Sequence, residues 1–143
     1  MPSILQFFGE VDLDRYCTFD VAVTTPTINC AVSFFGYTDT FHAFGQQLLD
    51  FPTDTQARVT FEQGNDTGSR MEYLLLQAYY LDPAGHTALR IVMDNKAVPP
   101  AEKRVAFSLV ADVSSLMELG RKLLSWPIQP GPSISTEWQP TVS

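Results

Sequence analysis

Apolar and polar residues alternate along most of this chain, and twice the alternation gives way to a helical period. From Tyr16, one face carries Phe19, Val21 and Val23, and the other carries Thr18, Asp20, Ala22 and Thr24. Thr25-Pro26 turns the chain, after which Ile28, Cys30, Val32 and Phe34 extend the apolar set. Setting Val23 opposite Ile28, Val21 opposite Cys30 and Phe19 opposite Val32 gathers both sets on one side, which predicts a hairpin with one buried face. Phe41, Phe44, Leu48 and Phe51 follow at helical spacing, with Thr38 or Asp39 available as N-cap and Pro52 as terminator.

Val59 and Phe61 mark a short strand, and the run 63–69 is rich in turn residues. A long strand over 70–82 then meets Asp82-Pro83-Ala84-Gly85-His86. This run predicts a type I turn closed by a left-handed glycine in a three-residue hairpin loop. The register would place Leu81 opposite Thr87, Tyr79 opposite Leu89 and Leu75 opposite Met93. Strands over 86–94 and 103–111 flank a loop containing Pro99 and Pro100. Asp112 or Ser114 starts a second helix with Leu116, Leu119 and Leu123 on its inner stripe. At the N-terminus Ile4–Phe8 suggests an edge strand. Glu10, Asp12 and Asp14 alternate behind it, a spacing read as a solvated face rather than a cation site. Residues 1–127 make one domain, and 128–143 a Pro-rich C-terminal tail with Ile134 and Trp138 as anchors.

Two stretches repeat. Ala31–Pro52 and Ala106–Pro127 align without a gap, sharing Ala31/Ala106, Ser33/Ser108, Gly45/Gly120, Leu48/Leu123, Leu49/Leu124 and Pro52/Pro127. A glycine recurring inside a helix costs around 1 kcal/mol, so its recurrence predicts a close approach of helix to sheet or helix to helix. The repeat extends to strand–turn–strand–helix over 16–51 and 86–126. The fold expected is α+β, a single twisted antiparallel sheet of about six to seven strands with both helices packed on one face.

That arrangement leaves a second sheet face bearing Phe35, Leu74, Leu76, Tyr80, Val92 and Val110. It is too apolar to face water, so these six residues are the candidate interface. The Ile4–Phe8 segment, the tail or another subunit would cover it, or a strongly curved sheet would partly close on itself. The pattern does not choose among them.

Composition narrows the function more than the pattern does. The 143 residues are 45% apolar and 12% aromatic, enough for a real core. No apolar run approaches a membrane span and no signal peptide is visible, so a cytoplasmic protein without membrane contact is expected. The net charge of −7, with nine scattered Lys and Arg, argues against nucleic-acid binding and suits a basic protein partner. In the predicted hairpin Cys17 and Cys30 stand roughly 13 Å apart, too far to bridge, so two free thiols in a reducing compartment are expected.

No catalytic constellation emerges. His42 lies on the flank of the first helix, and His86 follows a turn glycine where stacking on Tyr80 is the plain reading. Neither has metal-ligand spacing. Glu62 and Glu72 read as strand-surface acids, and no glycine-rich phosphate loop occurs. Phe35, Tyr37, Tyr73, Tyr79 and Tyr80 fit core or interface duty better than a ligand pocket. No enzyme activity, cofactor or metal is expected.

The order of elements resembles a known family. Phe41-x-x-Phe-x-x-x-Leu48, Ala57-Arg-Val-Thr-Phe61, the Asp82-x-x-Gly-His86 turn, Leu89-Arg-Ile-Val-Met93 and Phe107-Ser-Leu-x-x-Asp112 precede a Leu-rich last helix. Over about residues 28–126 this is similar to the small WapI-type immunity proteins and related bacterial domains. Asp112-Val-Ser stands where that family tends to carry Asp-Gln-Thr. The resemblance implies a non-enzymatic protein that binds and neutralises a toxin domain. The alternative is a structural or regulatory homo-oligomer, a homodimer that buries its second sheet face against itself.

Overall fold

The computed structural model describes residues 2–12, 16–128 and 134–142. In chain order it contains β1 (Ile4–Val11), β2 (Tyr16–Thr24), β3 (Asn29–Tyr37), α1 (His42–Leu49) and β4 (Arg58–Gln63). Then come β5 (Tyr73–Tyr80), β6 (Thr87–Asp94), β7 (Arg104–Ala111), α2 (Val113–Ser125) and β8 (Ile134–Trp138).

The α+β class holds, but the single sheet does not. Two separate four-stranded antiparallel sheets form, in the orders β3-β2-β1-β8 and β4-β5-β6-β7. The terminal segments account for much of the difference. β1 is no edge strand: it pairs with β2 on one side and with β8 on the other. The segment expected to be a tail thus supplies a strand, and Trp138 is 1% exposed.

The strand orders reveal a pseudo-twofold arrangement that extends the sequence repeat. One half is β1-β2-β3-α1-β4 and the other β5-β6-β7-α2-β8. In each half three consecutive strands pair in order, and the strand after the helix crosses to the other half's sheet. The halves are therefore interlocked. Neither sheet can be completed by one half alone.

Both sheets turn their apolar faces to one shared core. Phe7, Phe19, Val21, Val32 and Phe34 of the first sheet join the same buried cluster as Phe61, Leu74, Leu76, Leu89, Ile91 and Met93 of the second. The helices complete it. Where they cross, the paired glycines are reciprocal: a Cβ on Gly120 would lie 2.7 Å from the Gly45 carbonyl, and one on Gly45 would lie 3.0 Å from that of Gly120. The recurring glycine thus serves helix–helix approach. α1 starts at His42, later than Thr38 or Asp39 would set it; the residues before it form turns, with Thr40 N–H donating to Tyr37 O and His42 N–H to Asp39 O.

Registers differ from expectation in two ways with unequal consequences. In the first hairpin Val23 faces Cys30, Val21 faces Val32 and Phe19 faces Phe34. This is a two-residue slip, which keeps every side chain on its expected face. Thr25 Oγ1 accepts from the Ile28 N–H at 2.9 Å and closes that turn. In the β5–β6 hairpin the slip is one residue. Tyr80 faces Thr87, Ala78 faces Leu89 and Leu74 faces Met93. Leu81 N–H donates to His86 O, so the loop holds four residues rather than three, with Gly85 at φ +91° as foreseen. A one-residue slip turns a strand over, and this one turns over β5.

Candidate functional site

The overturned strand removes the expected interface. Leu74 and Leu76 are fully buried in the core, Val92 is 5% exposed, and Tyr80 is half-buried; only Phe35 and Val110 stand out in solvent. The outer face of the second sheet instead presents Tyr73, Leu75, Gln77 and Tyr79, of which Tyr73, Gln77 and Tyr79 make side-chain hydrogen bonds. Tyr79 Oη donates to Ser108 Oγ at 2.8 Å, reaching across β6, where Ala88 is fully buried. Gln77 accepts from Arg58 Nη1 at 3.1 Å and donates to Thr60 Oγ1 at 2.9 Å. The Arg58 guanidinium lies 5.6 Å from the Tyr79 ring centre. This face needs no other subunit to cover it.

Tyr73 anchors one end of the network. Its hydroxyl donates to Glu62 Oε2 at 2.6 Å, and the residue is 4% exposed. Burial, then the bond to Glu62, push the phenol up to about 12. An unfolded tyrosine ionises near ~10, so the folded state holds this proton more tightly than the unfolded state does. The resulting stability is fully present below pH ~10 and is lost as pH rises from there through about 12. Alkaline unfolding followed by circular dichroism should show a steeper loss over that window in the wild type than in Tyr73→Phe.

The exposed aromatic groups gather elsewhere, on the outer face of the first sheet. β2 and β3 place Tyr16 opposite Tyr37 and Thr18 opposite Phe35. Tyr16, Phe35 and Tyr37 are 40%, 57% and 56% exposed. The Tyr16 and Phe35 rings stack at 5.7 Å with 14° between planes, and Tyr37 meets Tyr16 edge-on at 5.7 Å. Gly36 lets Thr40 tuck against the strand, where its hydroxyl accepts the Tyr37 N–H at 2.7 Å. Beside Phe35 a cleft of about 260 Å³ opens between Met71, Arg70, Glu72 and Asn95. Met71 is itself 57% exposed.

Acidic groups frame this surface. Asp20 accepts from the Ser33 hydroxyl, and the Glu72 carboxylate accepts the Ser33 N–H. Burial raises the Glu72 carboxyl above its ordinary value and the Asp20 charge adds to the rise, while the Ser33 N–H opposes it. Asp20 and Glu72 thus lie beside the exposed aromatic groups, and Arg70 lines the cleft with Glu72.

The candidates for chemistry disperse. His86 is engaged by Asp82 rather than read as stacking on Tyr80: Nδ1 lies 2.8 Å from Asp82 Oδ2, and the imidazole holds that carboxyl below its usual range. Asp82 also accepts the Ala84 N–H at 2.9 Å, so the pair closes its own turn. Glu62 and Glu72 serve different partners, Tyr73 and Ser33. Cys17 and Cys30 are both buried and form no disulfide with each other, and burial raises both thiols. Cys17 faces Gly36, so the thiols stand about six residues apart along the hairpin, roughly 20 Å. Asp14 of the acidic triplet lies outside the described residues. Among those described, no three His, Cys, Asp or Glu side chains form a metal-binding group, and no helix is long and apolar enough to cross a membrane.

Of the five aromatics singled out by sequence, Phe35 and Tyr37 stand together, while Tyr73 and Tyr79 lie on the other sheet and Tyr80 lines a separate cleft with Leu81 and Asp82. Tyr16 and Met71 escaped the sequence reading. An aromatic on the polar side of an alternating strand is a signal that could have found Tyr16; Met71 sits in a turn-rich connector and gave none. No family model, curated protein or solved structure matches the chain significantly.

Proposed function

We propose that this chain is a non-catalytic protein-binding module whose contact surface is built from Tyr16, Phe35, Tyr37 and Met71. The observation that carries the reading is the exposure of these four large side chains, 40–57%, with the Tyr16 ring stacked on Phe35 and meeting Tyr37, and with Phe35 and Met71 lining one cleft. Aromatic residues and Met are the groups enriched where proteins meet, and a contiguous patch of them in water favours burial against a partner. The carboxylates of Asp20 and Glu72 and the net charge of −7 give the partner's sign, which is basic. The resemblance to WapI-type immunity proteins supplies the partner class: a toxin domain, bound and held inactive inside the producing cell. Two cysteines that form no disulfide with each other, Cys17 and Cys30, fit a reducing cytoplasm.

The test is co-purification from the native host with wild type and a Phe35→Ala/Tyr37→Ser double variant. Side chains this exposed leave the melting temperature nearly unchanged when replaced. The expected result is a partner held by the wild type, weakened by salt, and lost from the double variant. A folded double variant that retains the same partner moves the contact surface elsewhere. A toxin domain encoded beside the gene, and neutralised by the wild type in co-expression, supports the immunity reading.

A further inference from the structure

β3 and β7 are equivalent edges in the two halves, and among the described residues only the β3 edge is closed. At β3 the Ser33 N–H donates to the Glu72 carboxylate, Lys103 Nζ reaches Asn29 O, and Thr40 takes both the N–H and the C=O of Tyr37. Such side-chain plugs are how a strand edge is kept from pairing. The core-side residues of β3 are correspondingly covered, with Cys30, Val32 and Phe34 all at 5% exposure or less.

Among the described residues β7 pairs only with β6. Asn95 N–H donates to Lys103 O, which fixes the phase of the ladder. Counting from Lys103, the odd-numbered residues bond β6, so Arg104, Ala106, Ser108 and Val110 point their backbone N–H and C=O outward. No hydrogen bond from another described residue reaches those groups. Val105, Phe107 and Leu109, on the core side, are only partly buried. The strand has no proline, no glycine and one charged residue.

We propose that this open edge is a dimerisation surface that receives β7 of a second copy, antiparallel, about a twofold axis at Phe107. The strand is complementary to itself in that register. Arg104 and Val110 pair with each other between copies, as do Ala106 and Ser108, and all four have their backbone groups turned outward. On the core side Val105 meets Leu109, and Phe107 meets its twin at a non-hydrogen-bonded position, where side chains approach most closely. Each copy carries a net charge of −7, which opposes most self-contacts, yet β7 holds no acid. Its one cation, Arg104, lies at the end of the ladder and is held by Asp66 and Asp94 within its own chain. A twofold ladder uses up both edges and closes, so it builds a dimer and not a fibre. The partner-binding surface centres on the outer face of the first sheet with Met71 from the connector before β5, so none of its four residues belongs to β7.

The sequence repeat supplies a matched control, because Ala31 of β3 corresponds to Ala106 of β7. Light scattering coupled to size exclusion, at micromolar concentration, should give the wild type twice the 15.9 kDa chain mass. Ala106→Pro removes an outward N–H at an edge position where proline is tolerated, and should give a folded monomer. Ala106→Lys, which places a charge on the edge, should do the same and serves if the proline variant does not fold. Ala31→Lys, on the closed edge, should remain dimeric. A wild type that stays monomeric overturns the proposal, even if an extended peptide then binds β7. A folded Ala106→Lys that remains dimeric overturns it equally. Loss of the dimer with partner binding intact separates this inference from the proposed function.

Discussion

Replacing Phe41 with alanine is expected to cost about 3–5 kcal/mol, lowering the melting temperature by roughly 10–15 °C for a chain of this size. Phe41 precedes α1 and is 2% exposed, and its ring is wedged between the sheets. Phe7, Phe19 and Phe34 of the first sheet lie 5.3, 5.2 and 6.0 Å from it, Phe61 of the second stacks on it at 4.6 Å, and Trp126 beyond α2 approaches to 6.2 Å. Edge-on and stacked aromatic pairs add about 0.5–1.5 kcal/mol each beyond area burial. Truncation therefore removes the contact through which both sheets share one core. Phe41→Leu keeps most of the volume and should cost roughly half as much or less. Phe44, equally buried, has Phe61 as its ring neighbour at 6.0 Å, so Phe44→Ala should destabilise less than Phe41→Ala. Thermal melts of the three variants give the ranking directly. Equal losses for Phe41→Ala and the solvent-exposed Phe35→Ala would contradict the shared core.

The elements were more legible in the sequence than their pairing. Alternation around Phe19–Val23 and Cys30–Phe34 located β2 and β3, and a turn misjudged by two residues did no harm because strand side chains repeat every two. β5 had no such protection. Tyr73-Leu-Leu-Leu-Gln-Ala-Tyr-Tyr80 is apolar on both sides, so its pattern cannot say which leucines face inward. That decision passed to the Asp82–Gly85 turn, where one residue of loop length moved Leu74 and Leu76 from the surface into the core. The separation into two sheets was hidden for a related reason. Hydrophobic period reports which side of a strand is buried, not which strand lies beside it. The repeat correctly marked two strand–strand–helix units, but the exchange of β4 and β8 between halves leaves no local trace. The aromatic surface followed suit: Phe35 was picked for the right exposure and placed among the wrong neighbours.

Trp138→Ala is expected to cost as much as Phe41→Ala or more, although it lies in the segment that composition marks as a tail. Trp138 is 1% exposed and stands opposite Leu5 in the β1–β8 ladder. Its indole N–H donates to Ser115 O in the first turn of α2 at 2.8 Å. Ser115 Oγ accepts the Thr141 N–H at 3.0 Å, and Asp112 N–H donates to Thr141 O at 2.9 Å. One residue thus fastens the last strand both to the first sheet and to the start of the helix. Truncating the ring removes about 3–5 kcal/mol of packing. It also removes the indole donor from the Ser115 carbonyl, which keeps its place in the helix ladder, for about 0.5–1.5 kcal/mol more. Trp138→Phe separates the two contributions, since it keeps an aromatic ring and loses the donor. Hydrogen exchange should show residues 134–142 losing protection together in Trp138→Ala, with β1 following because β8 covers its outer side. Ending the chain at residue 133 should be worse still, because the first sheet loses β8, the one of its four strands delivered from the other half. A truncated chain that melts like the full-length protein would mean that β8 is an accessory strand, and the interlock between the halves would lose its energetic basis.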